Sequence, residues 1–266
     1  MLPNFLGIGV PRAATTWLFN CLREHPEIFM PEQKELHFFD KHFENGITYY
    51  ADYFAKGIGC KAAGEITPNY LACKLCPERI SKLIPNAKMI VIFRNPIEMT
   101  SSFYRKFLYP ATKVSFERTV EKEAWLLKWG HYWEHLDRYF KCFPRENFRI
   151  FLYEDVLNDG LGVVQDIFRF LGVNAAFVPK WIDKSTNISP LSDWEIIFDM
   201  AGLTRLKDFL RNSPIAEAAR VIHKKRKQNI RVSVDEATRA ILIEYFREPN
   251  NRLAKLIGRD LSAWME

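Results

Sequence analysis

Residues 5–17 read FLGIGVPRAATTW: an apolar run stops at a Pro-Arg turn, and a Thr pair then opens an amphipathic segment. A strand that enters a helix through so short a turn gathers backbone N–H groups and the positive helix end at one point, which suits an anion such as phosphate. The plainer reading is an ordinary strand-turn-helix with Thr15 as its cap. The Lys-Ser/Thr pair and glycine spacing of a GxxxxGK[ST] loop are both missing, which argues against nucleoside triphosphate hydrolysis.

A second segment repeats the pattern. Lys88 to Phe93 (KMIVIF) reads as a buried parallel strand, Arg94-Asn95-Pro96 as its exit, and Ile97 to Leu108 as the next helix, bearing Ser101 and Ser102. Arg94 then belongs at the carboxyl end of its strand beside the first turn, where open α/β sheets bind ligands. Two basic strand exits predict a ligand with two anionic groups. Between them, KELHFFD (Lys34 to Asp40) sets a carboxylate, two possible cations and an aromatic pair close together, and GEITPNY (Gly64 to Tyr70) follows. Read as extended chain, KELHFF puts Glu35 and His37 on one face and Lys34 and Leu36 on the other.

In this order the four segments resemble the sulfotransferases, and more narrowly the branch that includes heparan sulfate sulfotransferases and their bacterial relatives. The resemblance runs from Phe5 to Trp264 and is most specific over residues 1–110. It implies an α/β fold of three layers, a P-loop-like parallel sheet flanked by helices, as a single domain over residues 1–266. It also implies 3'-phosphoadenosine 5'-phosphosulfate as donor, 3',5'-adenosine diphosphate as product, and no metal.

By the same resemblance, the PRAATT loop cradles the 5'-phosphosulfate through Arg12, the backbone of Ala13, Ala14, Thr15 and Thr16, and the two Thr hydroxyls, with Trp17 next on the helix. Arg94 and Ser102 match the pair that holds the 3'-phosphate, and Lys227, within the basic run His223 to Arg231, is the best match to a loop that covers the nucleotide. Glu35 matches the acid that serves as base in the glycan branch, with His37 as the alternative, while Arg12 and Lys34 supply positive charge. Glu65 and Tyr70 read as supports of the site. The sequence departs from the pattern at Arg12, where Lys is common, at Ala14, where glycine is usual, and at Ile66, where another Lys is common. The acceptor implied is a hydroxyl, or less readily an amine, of a small molecule or carbohydrate. The reading from a different class is a nucleotide-binding protein of the same fold without turnover, motivated by those three departures.

Composition bounds the rest. A net charge of +6 suits an anionic donor, and 48% hydrophobic residues suit a globular core. With no apolar run of membrane-spanning length and no signal pattern in MLPNFLGIGVPR, the expectation is a cytoplasmic chain with neither membrane nor nucleic-acid partner. Five cysteines form an odd set that predicts free thiols, and the lone Cys73-Cys76 pair is weak support for zinc. Pro77 to Leu83 reads as a helix, and Phe116 to Phe140 as one or two helices whose Trp125, Trp129 and Trp133 form a core stripe. The family places acceptor contacts in this region, which points to Gly130, His131, Tyr132 and His135. Phe148 to Val156 reads as a strand, Leu161 to Leu171 as a helix, and Val234 to Ile257 as a helix interrupted at Glu248 to Asn250. Glu154 and Asp155 read as supports of the sheet.

Overall fold

In a sheet covered on both faces, strands become continuous apolar runs, and the runs in this chain pair accordingly. The computed structural model describes residues 1–183 and 234–266. Among these, β1 (Phe5–Gly9), β2 (Ile28–Phe29), β3 (Ala62–Ile66), β4 (Lys88–Phe93) and β5 (Phe148–Leu152) form one parallel sheet in the order β2-β3-β1-β4-β5. Every residue of β1 and β3 is buried. The order departs from chain sequence on either side of β1, and this switch point puts the exits of β1, β3 and β4 on one edge.

The register of β1 against β3 sets Phe5 beside Gly64 and Gly7 beside Ile66. A Cβ on Gly64 would lie 2.5 Å from the Phe5 ring and the Phe5 carbonyl oxygen, with nothing flexible to give way. Gly64→Ala is therefore expected to lower stability by about 2–3 kcal/mol through overpacking, read as a lower urea midpoint at unchanged slope. A midpoint matching the parent chain would show that β1 and β3 are not in this register.

Helices cover both faces. α1 (Thr15–Arg23) follows β1, with α2 (Phe38–Lys41) and α3 (Gly46–Asp52) before β3, and α4 (Cys76–Leu83) before β4. After β4 comes α5 (Pro96–Phe103), whose own Asn95 caps it by accepting from the N–H groups of Ile97 and Glu98. The chain then widens into a π-helical turn over Tyr104–Leu108 and continues as α6 (Tyr109–Thr112). The expected single helix to Leu108 is thus α-helical only to Phe103.

Residues 116–140 form three helices, not one or two: α7 (Phe116–Lys122), α8 (Ala124–Lys128) and α9 (Tyr132–Phe140). The breaks fall at Glu123 and His131, so the Trp spacing does not define one helical face. Strand β5 ends at Leu152, four residues short of the expected Val156, because Asp155 accepts from the Leu152 N–H at 2.8 Å and starts α10 (Tyr153–Leu171) there. Asp155 also pairs with Arg259, and Glu154 accepts from the Trp264 indole, which fits supporting roles. The last helix, Glu236–Ile257, runs through Pro249 without the expected interruption. Among the described residues no helix is long and apolar enough to cross a membrane, and no group of three His, Cys, Asp or Glu could hold a metal ion.

Candidate active site

The turn after β1 is built around one arginine. Arg12 and Ala14 both have positive φ, 65° and 57°, a backbone region that L-residues enter at a cost of about 1–2 kcal/mol. Ala14 caps α1 but has no side chain to accept from the helix, and the first turn of α1 contains no acid. The open N–H groups and positive helix end are thus left for an external anion. Thr15, expected as the cap, is instead the first helical residue.

The exit of β4 reaches the same turn. Arg94 donates from Nη1 to the Arg12 carbonyl at 2.8 Å and lies 4.7 Å from the Tyr153 ring centroid. Arg12 in turn donates from Nε to Oγ of the buried Ser102 at 3.0 Å. Three residues from two strand exits and α5 are therefore linked through Arg12.

The loop before α2 forms the facing wall. Glu35 and His37 also have positive φ, 62° and 52°, so this stretch is not the extended chain the sequence predicts. Side chains from the exit of β3 hold it in this shape. Buried Glu65 accepts from Tyr50 (3.1 Å), Tyr70 (2.6 Å), Thr67 (2.6 Å) and the Leu36 N–H (3.4 Å), while the Tyr70 hydroxyl accepts from the Phe38 N–H at 2.9 Å. Burial pushes the Glu65 carboxyl above its usual range, and the hydrogen bonds from Thr67, Tyr70 and Tyr50 act against that rise.

Glu35 is half-buried and paired with the Lys34 ammonium. Burial raises its carboxyl, but the charges of Lys34, His37 and Lys106 outweigh this and hold it below the ordinary carboxylate value. His37 stands between two acids, with Nδ1 at 2.8 Å from Asp40 and Nε2 at 3.9 Å from Glu35. Because an ionised carboxylate can only accept, the Asp40 contact places the hydrogen on Nδ1 and turns Nε2 toward Glu35. Glu35 and His37 share a cavity of about 840 Å³ with Arg12, Thr15, Thr16 and Lys106.

The sulfotransferase domain family matches residues 2–191. The chain belongs to the sulfotransferase family. It is 29% identical over 187 residues to heparan sulfate glucosamine 3-O-sulfotransferase 6 of Homo sapiens, covering 67% of this chain and 54% of that protein. It is 30% identical over 178 residues to the membrane-associated sulfotransferase kil1 of Dictyostelium discoideum, covering 62% of this chain and 36% of that protein. The chain therefore spans about half or less of the length of these curated relatives. A crystallised sulfotransferase from Alicyclobacillus acidocaldarius superposes over 100% of both chains with a TM-score of 0.75 at 25% identity.

In this member of the sulfotransferase family the expected site residues divide into groups. Arg12, Thr15, Thr16, Glu35 and His37 line the cavity; Arg94 and Ser102 join it through Arg12. Ala13 and Ala14 are buried beneath the turn, where their backbone is what an anion can meet. Lys34 bonds Glu35 and is not part of the cavity wall. Trp17 turns its side chain inward: the indole is 3% exposed and donates to the Ile182 carbonyl, which leaves its backbone at the start of α1 as the part that faces the turn. Ile66 is 1% exposed and packs over Gly7, so no cation enters from that position. Lys227 and the run His223 to Arg231 lie outside the described residues.

Gly130, His131, Tyr132 and His135, expected near the acceptor, lie outside the wall of this cavity. Tyr132 stacks on Phe93 at 4.9 Å, and His135 is engaged by Arg138 and the Lys128 carbonyl. The stripe fares differently at each Trp: Trp125 and Trp129 line the cavity, whereas Trp133 packs on the core beneath Arg252. Sequence reasoning missed Lys106 and Tyr153. Lys106 follows Ser102 by four residues, a helical spacing that signals a shared face.

Proposed function

We propose that the chain transfers a sulfuryl group from 3'-phosphoadenosine 5'-phosphosulfate to the hydroxyl of a small molecule or carbohydrate. The reading rests on a paired, half-buried carboxylate sharing one cavity with an uncapped helix start. The uncapped turn, its lack of acids, and the cations Arg12 and Arg94 fit the two charged ends of such a donor. Its 5' end would be held by Arg12, the Thr15 and Thr16 hydroxyls and the backbone of residues 13–16; its 3'-phosphate would be held by Arg94 and Ser102.

The donor supplies a labile bond between sulfur and phosphate oxygen. Glu35 takes the proton from the acceptor hydroxyl as the new oxygen–sulfur bond forms, and the departing phosphate oxygen keeps the electron pair of the broken bond. Arg12 and the start of α1 stabilise charge on that oxygen, as cations do in phosphoryl transfer. Lys34 keeps Glu35 ionised, and His37, oriented by Asp40, positions the acceptor. Calorimetry with 3',5'-adenosine diphosphate followed by transfer of labelled sulfate tests the reading. One-to-one binding with labelled product supports it. Binding without transfer to any hydroxyl acceptor supports the non-catalytic alternative, and absence of binding removes both.

A further inference from the structure

Beyond Glu35 the cavity wall becomes aromatic. The Arg12 guanidinium lies 6.0 Å from the Phe107 ring, Phe107 lies 4.7 Å from Phe103, and Phe103 meets Trp129 at 5.1 Å and Trp125 at 6.2 Å. Phe103, Phe107 and Leu126 form a buried cluster distinct from the main core, with Trp125 and Trp129 packed half-buried against it. The π-helical turn enlarges this wall. Lys106, Phe107 and Leu108 all line the cavity, although three consecutive residues of a regular helix fan out over about 200°.

Ring orientation bears on what this arm can hold. Trp125 and Trp129 meet each other at 69°, and Phe103 meets them at 85° and 69°, so edges pack on faces and the rings join into one contiguous apolar wall. An alkyl or aromatic body laid along this wall buries carbon against carbon, whereas a sugar there turns some of its hydroxyls away from water and must find each a partner. Charge adds a second constraint. Excluding His37, and among the described residues, the cavity is lined by five cations (Arg12, Lys41, Lys106, Arg118, Lys122) against two acids (Glu35, Glu123). Arg118 and Lys122 are exposed, four residues apart on α7, and therefore on one face.

We propose that this arm is the acceptor site and that the acceptor is amphipathic: a hydroxyl on an alkyl or aromatic body that also bears an anionic group, met by Arg118 and Lys122. The inference rests on the sulfuryl-transfer reading and narrows its acceptor. The apolar body lies along Phe107, Phe103, Trp125 and Trp129, which directs the hydroxyl toward Glu35.

The test uses the full chain saturated with 3',5'-adenosine diphosphate. The fluorescent probe 1-anilinonaphthalene-8-sulfonate is bound first and then displaced by 10-hydroxydecanoate, by 1-decanol, or by an unsulfated heparosan hexasaccharide. Hydroxydecanoate is expected to displace the probe best, decanol less well, and the hexasaccharide not at all. Trp129→Ala is expected to weaken hydroxydecanoate by at least about tenfold, the effect of removing one large apolar contact. The exposed pair Arg118→Glu and Lys122→Glu, which cannot disturb the core, is expected to weaken hydroxydecanoate but not decanol. Both variants should bind the diphosphate as the parent chain does. Preference for the hexasaccharide, or indifference to both variants, overturns the proposal. If hydroxydecanoate binds as expected but receives no label from the donor, the amphipathic site stands and sulfuryl transfer fails. If the diphosphate does not bind, the underlying reading fails first.

Discussion

Glu35→Gln is expected to lower turnover by at least about a hundredfold while leaving the affinity for 3',5'-adenosine diphosphate unchanged, since positioned general bases contribute about 10²–10⁴-fold. The amide keeps the size of the side chain and accepts from Lys34, so the loop retains its shape, but it cannot accept a proton. The pH profile adds an independent readout. Burial raises the Glu35 carboxyl, and the charges of Lys34, His37 and Lys106 bring it below its ordinary value. A group depressed in this way stays ionised as pH falls through the ordinary range near about 4.3 and is lost only below it. Turnover is therefore expected to hold from neutrality to about pH 5 and to fail on the acid side, whereas an imidazole base generally loses activity between about pH 5 and 8. Near-parental turnover in the Gln variant, or an acid limb in the imidazole range, would transfer the role to His37.

The second large effect is expected at Arg94. Arg94→Ala should weaken 3',5'-adenosine diphosphate by at least about a hundredfold, because two charge-assisted hydrogen bonds of about 1.5–3 kcal/mol are lost and each 1.4 kcal/mol is tenfold. Part of the loss is indirect, since Arg94 also fixes the Arg12 carbonyl. Arg94→Lys separates the two contributions: it keeps the charge but not the planar fork, and is expected to recover only part of the affinity. Calorimetric affinity within about threefold of the parent in Arg94→Ala, a change of under 1 kcal/mol, would remove Arg94 from the nucleotide site.

How much of this was legible in the sequence follows from where the determining contacts lie. β1 and β4 were readable because each is an apolar run closed by its own Pro-containing exit, and both exits sit where the reading put them. The loop at Lys34 to Asp40 was legible as a place and not as a shape. No glycine marks the positive φ of Glu35 and His37, and the hydrogen bonds that hold them come from Glu65, Thr67 and Tyr70, about thirty residues away along the chain. The start of α10 depended on the Asp155 carboxylate reaching back to Leu152, a local signal that the apolar run of β5 masked. The aromatic arm was hidden for a different reason. Tryptophans four apart imply one helical face only if the helix is continuous, and the breaks at Glu123 and His131 send Trp133 elsewhere.

Arg12 gives its carbonyl to Arg94 and its guanidinium to Ser102, so one residue is common to both of the proposed grips on the nucleotide. Neither grip is an independent module. Halves of the nucleotide, such as adenosine carrying a single phosphate at either end, would each meet a hub set by partners they do not touch. On the proposed donor reading the intact molecule is recognised as a unit, and sequence drift at one grip has to be answered at the other.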